Sequence, residues 1–474
     1  MELAITDALL VTFDPDRDGS GVVEDGAVGV TDGEITFVGS SVELDARSAD
    51  RVIDAAGRAV LPGFVDAHVH TPLTLLRGGT QDLPEIEWMT RGLEPLARAM
   101  TDEDRVAGAR LGVLEGLRSG VTTFGEYTGE VGRIVEEVYD PFGARVAATE
   151  TINEVAEMVG HDDPGEAYPL DRSKGKAALS RAEALFDRYG DDPLVTPMYG
   201  PQALDMVSPG LLGEIRDRAD ERGASIHMHV AQGDRERRQV RARYGPDATT
   251  VGVLDEYGLL DERLIAVHCH GATEDERARI AGSGARTICC PSSIAAIDGV
   301  VPPVAELLAA GAPVGLGTDQ APGPGGHDMG RELRTASLLA KTDRGDPTAL
   351  PAWEALRLGT VGGARALGLD SVGRIAVGAR ADLAVFALDS LGTAPAVTEP
   401  LHTAIPNLVY GGADAEAVFV DGEPIVLDGE FTAIDERAVL EEASERAEAV
   451  FSRAAEDWRA ADSKLVGAAR EGRL

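Results

Sequence analysis

Three pairs of histidines in this chain share one spacing. They are His68 and His70 in "FVDAHVH", His227 and His229 in "SIHMHVA", and His268 and His270 in "IAVHCHG". A fourth donor follows in "PVGLGTDQA", where Asp319 closes another apolar run. Three His and one Asp suit a divalent metal with one position left for water, and that combination does hydrolysis.

Each of these groups ends a strand-like run. Side chains alternate along a strand, so H-x-H directs both imidazoles to one side. Apolar strands are predicted at 63–69, 121–126, 144–150, 194–200, 224–230, 264–269, 285–290 and 313–318. Amphipathic stretches separate them, such as "DEDRVAGARLGVLEGLRSG" and "PGLLGEIRDRADERG". Eight strands with helical crossovers predict an α/β fold, a (β/α)8 TIM barrel whose catalytic groups come from the C-terminal strand ends. A doubly wound open sheet is the alternative. No G-x-G-x-x-G follows the first strand, which speaks against a dinucleotide-binding version. Glu126 ends strand two and points either into the barrel mouth or to solvent. His327, in "GGHDMG" after strand eight, faces either the pocket or the surface. His161 and His402 read as ordinary polar positions.

Residues 1–62 and 370–432 read instead as short strands and turns, with a hairpin signal at Asp32-Gly33. They predict a small β-sandwich domain built from both termini, flanking a barrel at 63–369. Residues 433–474 form a C-terminal helical segment.

Net charge is −37, a field that repels phosphate backbones and anionic membranes, so no nucleic acid and no membrane partner is expected. Only 4 of the 44 basic residues are lysines. Acid-rich, lysine-poor surfaces suit a high-salt cytoplasm, so the chain reads as halophilic. Cys269, Cys289 and Cys290 follow no C-x-x-C spacing and read as buried free thiols. The N-terminus "MELAITDALLVTF" has no basic n-region, and no run reaches 18 apolar residues, so a cytoplasmic location is expected.

The ordered motifs "LPGFVDAHVHTPLTLLRGGTQDLPEIEWM", "LEGLRSGVTTF", "HVAQGDRE", "AVHCHGATEDE", "LAAGAPVGLGTD" and "GRIAVGARADLAVF" resemble the amidohydrolase superfamily. The nearest branch holds cytosine, guanine and S-adenosylhomocysteine/methylthioadenosine deaminases and the s-triazine hydrolases. The resemblance implies that His68, His70, His229 and Asp319 hold one divalent metal per subunit, Zn²⁺ or else Fe²⁺. It implies that His227 is a less essential neighbour, that His268 holds the attacking water or the substrate, and that Asp319 also shuttles protons. Two-metal members bridge their ions with a carboxylated lysine, and no lysine lies in the eight predicted strands. The implied activity is hydrolytic deamination of an amino-substituted N-heterocycle of purine, pyrimidine, pterin or triazine type, by metal-activated water. A small-molecule substrate and a homo-oligomer, dimer or tetramer, are expected.

Three positions depart from the branch. Gln232 stands where members carry a Glu that protonates the ring nitrogen, and an amide cannot transfer that proton at neutral pH. Glu236 and Asp234, nearby in sequence, are the candidates to replace it. Gln202 replaces a substrate-contacting His in "GPQALDM", and "CPSSIAAIDG" lacks an Asn after its serine pair. A related hydrolase with another leaving group, or one that opens a cyclic amide, imidazolone or triazine, is therefore the second reading. A non-catalytic metal-binding barrel is the third. Arg77 and Trp88, on the long loop after strand one, are candidate substrate contacts with Gln202, Gln232 and His268.

Overall fold

A computed structural model describes residues 1–17, 21–156, 166–398 and 402–473. All eight predicted barrel strands form: β1 (Phe64–Val69), β2 (Val121–Thr128), β3 (Arg145–Ile152), β4 (Val195–Pro201), β5 (Ile226–Val230), β6 (Leu264–His268), β7 (Arg286–Cys289) and β8 (Val314–Leu316). They pair in sequence order, all parallel, which excludes the doubly wound alternative. Just past β8, a parallel bridge from Asp319 to Val69 returns the sheet to β1. The amides of Asp319 and His70 donate to the carbonyls of His68 (2.9 Å) and Asp319 (2.7 Å). The barrel thus closes at the end that carries the histidines.

These strands are rich in Val, Ile, Ala and Thr and are buried on both faces, as a helix-covered parallel sheet requires. Ala147, Met198, Ile265, Val267 and Ile288 belong to one buried cluster, while Phe124, Val146, Met228, Leu264 and Leu316 belong to the larger core shared with the surrounding helices. The crossover helices begin on the expected caps: Thr101 and Thr273 form capping boxes for Asp102–Arg118 and Glu274–Ser283.

The termini build one mixed nine-stranded sheet. Arg58–Pro62 pairs antiparallel with Leu383–Ala387, joining N-terminal to C-terminal strands. Asp32 (φ 52°) and Gly33 (φ 72°) make the predicted hairpin turn between Val22–Thr31 and Glu34–Ser40. The sheet curls, so that a Cβ on Gly33 would lie 3.1 Å from the Cβ of Asp421. Its two halves enclose a separate core of Leu3, Ile5, Leu10, Val28, Val60, Val385 and Phe419. The sandwich-like unit is therefore one folded-over sheet. The C-terminal segment forms Glu436–Ala460 and Lys464–Arg470. Arg446 and Arg453 of the first helix reach the buried carboxylate of Asp104, and Leu465 of the second packs with Leu83, Trp88 and Ile297. No described helix is long and apolar enough to cross a membrane.

Candidate active site

β1, β5 and β6 deliver His68, His70, His229 and His268 to one point, and the turn after β8 delivers Asp319. The ligand atoms of His68, His229 and His268 lie within 4.8 Å of one another, as do those of His68, His70 and Asp319. Nε2 of His70 and of His68 stand 3.3 and 3.7 Å from Asp319 Oδ1. The His70 and His229 rings are nearly parallel, 10° apart with centroids at 5.6 Å.

The opposite edges of the rings are already engaged. His70 Nδ1 donates to the carbonyl of Tyr127 (2.5 Å), and His229 Nδ1 donates to the carbonyl of Gln202 (2.7 Å). His68 Nδ1 meets His227 Nε2 at 3.0 Å, and His227 Nδ1 meets Thr149 Oγ1 at 3.1 Å. These contacts fix the ring orientations and leave Nε2 of His68, His70 and His229 facing the shared space. His68 Nε2 is fully buried without a hydrogen-bond partner, and so are both nitrogens of His268. A buried donor or acceptor left alone is costly. A cation beside Asp319 would satisfy the orphaned His68 Nε2 and leave His268 for a bound water or substrate, so the donor set fits a divalent metal.

The protonation states agree with that use. Burial and the crowding of neighbouring imidazoles push His68, His227 and His268 well below the usual histidine range and bring His229 down to about 4. Neutral imidazoles are what a metal needs; His70 is the exception, since burial lowers it but its hydrogen bond to Asp319 and the Asp319 charge outweigh that and raise it. Burial raises the Asp319 carboxyl, but the His70 hydrogen bond and the favourable electrostatics of the neighbouring His268 and His70 rings outweigh it and hold the group ionised, well below the carboxylate range. The Ser293 hydroxyl also donates to Asp319.

Above this cluster lies a cavity of about 230 Å³. His70, His229 and Asp319 reach it, with Gln202, Gln232, Ser293 and Gln320 as further polar groups and Trp88, Met89, Met206, Ile294 and Ile297 as apolar wall. Leu465 packs behind Trp88 and Ile297, so the C-terminal segment backs the pocket. Glu85 also lines it, held by Arg235, whose fully buried guanidinium bridges Glu85 (2.9 Å) and Asp205 (2.6 Å).

The expected substrate contacts divide. Trp88, Gln202 and Gln232 line the cavity, and the Gln202 side-chain oxygen accepts from Asn153 (2.6 Å). Arg77 does not: the short 3₁₀ turn Thr71–Leu76 carries it outward, where Glu115 binds its guanidinium. Neither proposed stand-in for a carboxylate at 232 enters the pocket. Glu236 is buried and accepts from the Gln232 backbone N–H and the Thr250 hydroxyl, both at 2.6 Å, while exposed Asp234 pairs with Arg237. Glu126 points neither to the mouth nor to solvent, but accepts internally from Thr71 and from Tyr139 (2.8 Å); burial pushes it up to about 7. His327 is buried between the hydroxyls of Thr74 (2.9 Å) and Thr318 (2.8 Å) and does not line the cavity. His270 sits 3.4 Å from Asp298, His402 3.8 Å from Glu24, and His161 lies outside the described residues. All three cysteines are free and buried, but Cys290 has company that its sequence context hid: its Sγ lies within 4.8 Å of ligand atoms of His268 and Asp319. The Tyr127 and Gln202 carbonyls that orient two histidines were also missed, since a backbone group leaves no residue-type signal.

Comparison with known proteins agrees with this geometry. The chain is 34% identical over 433 residues to 5-methylthioadenosine/S-adenosylhomocysteine deaminase of Pelotomaculum thermopropionicum, covering 90% of this chain and 94% of that one. It is 35% identical over 426 residues to the protein of the same name from Halobacterium salinarum, covering 90% and 93%. Among solved structures, an adenosine deaminase from Xanthomonas campestris with bound zinc superposes with a TM-score of 0.85 at 31% identity, covering 95% and 99%. The model of the amidohydrolase family matches residues 59–425, from the last N-terminal strand of the composite sheet through the whole barrel. With its histidines on the ends of β1, β5 and β6 and its aspartate after β8, the chain belongs to the amidohydrolase family.

Proposed function

We propose that this protein is a hydrolytic deaminase of an adenine-type nucleoside, and that His68, His70, His229 and Asp319 hold one divalent metal, Zn²⁺. One observation carries the reading: His68, His70 and His229 have their far edges engaged, and two of them set Nε2 within 4 Å of the ionised Asp319 carboxylate. The names of the relatives, and the zinc in the Xanthomonas campestris enzyme, support substrate class and metal. The reaction replaces an exocyclic amino group by oxygen and releases ammonia. The bound cation would lower the pKa of a water from 15.7 to about 7. Asp319 takes a proton from the attacking water and returns it to the departing nitrogen. His268, with both ring nitrogens uncommitted, hydrogen-bonds the incoming oxygen. Gln232 donates a hydrogen bond to a ring nitrogen without transferring its proton, and the apolar wall around Trp88 and Ile297 excludes bulk water.

The amide at 232 also supports the second reading, a related hydrolase with another leaving group or a ring opening, because it supplies no transferable proton. The deciding experiment incubates the Zn²⁺-loaded protein with 5′-deoxyadenosine, methylthioadenosine, S-adenosylhomocysteine, pterins and triazines at high salt. Ammonia release from the adenine nucleosides is the expected result. A mass change without ammonia favours the second reading, and no product from any of them overturns both. The charge of −37 and the likeness to a Halobacterium salinarum protein support work in a salty cytoplasm.

A further inference from the structure

We propose that a second, thiophilic divalent cation binds beside the first, on His268, Cys290 and Asp319. Their ligand atoms lie within 4.8 Å of one another. A tetrahedral metal with bonds of about 2.0–2.3 Å sets its ligands about 3.3–3.8 Å apart, so the three groups need close by at most about 1.5 Å on binding. Two observations point to a ligand there. Both ring nitrogens of His268 are fully buried and unpartnered. The Cys290 thiol is fully buried and in no disulfide. The site is built by backbone that ordinary residues avoid: His268 (φ 75°) and Asp319 (φ 65°) are both left-handed. Asp319 lines the cavity, which gives a cation its way in.

Sulfur sets the preference. Thiolate favours soft and borderline cations over Mg²⁺ or Ca²⁺, and coordination removes the thiol proton, so one proton leaves for each cation bound. Asp319 belongs to both donor sets. A cation on the second set therefore ties up His268 and Asp319, the two groups given work in the proposed reaction. Excess zinc or cadmium then inhibits, a consequence that rests on the proposed function, whereas the binding itself does not.

The test titrates Cd²⁺ into the full-length protein already loaded with one equivalent of Zn²⁺. Three readouts are followed: the ultraviolet sulfur-to-cadmium charge-transfer band, proton release and ammonia production. The wild-type protein should develop the band, release one proton and lose at least tenfold in rate. Cys290→Ser, which leaves the proposed catalytic groups untouched, should keep its basal rate, show no band and resist cadmium. Cys290→Ala repeats the test if the serine variant folds poorly, and Cys269→Ser and Cys289→Ser should behave as wild type. A band that survives in both Cys290 variants, or wild-type protein without a band, overturns the site. A Cys290-dependent band in protein that never holds a metal on His68, His70, His229 and Asp319 would sink the proposed function alone. Normal deamination with no such band would sink this site alone.

Discussion

Arg145→Met should destabilise the protein without touching its chemistry. Arg145 opens β3 and reaches into the composite β unit. Its Nε and Nη2 donate to the two oxygens of Asp382 at 2.8 and 3.0 Å, Nη2 also meets Asp421, and Nη1 donates to the carbonyl of Pro193 at 2.6 Å. The Arg145 and Asp382 side chains are 6% and 1% exposed, so water cannot replace what is lost. Methionine would leave Asp382 with the Asp421 backbone N–H (3.0 Å) as its remaining described donor. Removing one partner of a buried pair costs about 3–5 kcal/mol, more than a hundredfold in the folding equilibrium. Replacing both partners by apolar side chains costs less, because no buried charge is stranded. Urea unfolding of Arg145→Met, Asp382→Leu and the double variant, at one fixed high salt concentration, measures the coupling. We expect at least about 2 kcal/mol of non-additivity. Single changes that add to the double within about 0.5 kcal/mol would refute the reasoning. Folded Arg145→Met should keep wild-type kcat/KM, because the pair sits at the strand's start and the chemistry at the strand ends.

Asp319→Asn should lower kcat by about 10²–10⁴-fold with circular dichroism unchanged, since an amide shuttles no proton; a near wild-type rate would place the base elsewhere. Gln232→Glu should not raise kcat/KM on the native substrate, and a hundredfold gain would mark Gln232 as an impaired general acid. His327→Asn should flatten the acid side of the stability profile. Burial brings His327 down to about 3, so between pH 6.5 and that value the unfolded chain binds a proton that the folded one refuses. Stability from this group is present above pH 6.5 and falls by up to about 1.4 kcal/mol per unit below it; parallel wild-type and variant profiles would exclude it. Lowering salt from 1 M to 0.1 M lengthens screening from about 3 to about 10 Å and should lower the melting temperature of a chain with net charge −37, whereas a salt-independent value would sink the halophilic reading.

The fold was legible because its signals are periodic. Runs such as "LIAVH" and "VAATETI", separated by amphipathic helices, identify buried parallel strands, and each of the eight formed within a few residues of its predicted bounds. The composite sheet was legible from two strand-rich ends, but its closure was not, since curling depends on contacts such as Gly33 with Asp421. Within the site, H-x-H at strand ends was visible for the same reason of period. Direction off the strands was not. Arg77 and Trp88 lie on one loop, yet the 3₁₀ turn after His70 sends Arg77 to Glu115, while Trp88 packs on Leu83 and Ile297 at the pocket wall. Cys290 read as an inert core thiol because adjacency to His268 and Asp319 is set by three separate strands.

Some of the positions that break local preference hold the site, while others, such as Phe13, Glu130 and Leu350, lie elsewhere. His268, Cys269 and Asp319 are non-glycine residues with positive φ, each costing on the order of 1–3 kcal/mol. The surrounding ladder holds them there. The Cys269 amide donates to Val230 (3.0 Å), and Asp319 is clamped on both sides by β1 through the His68 carbonyl and the His70 amide. An ordinary extended residue at 319 would continue β8 past the barrel rim; the left-handed turn ends the strand where the carboxylate meets His68 and His70. The same hydrogen bonds that close the barrel thus place the ionised Asp319 carboxylate against two imidazoles. Barrel closure and site assembly are one event, and a change that opens the β8–β1 seam should cost metal binding before it costs the rest of the fold.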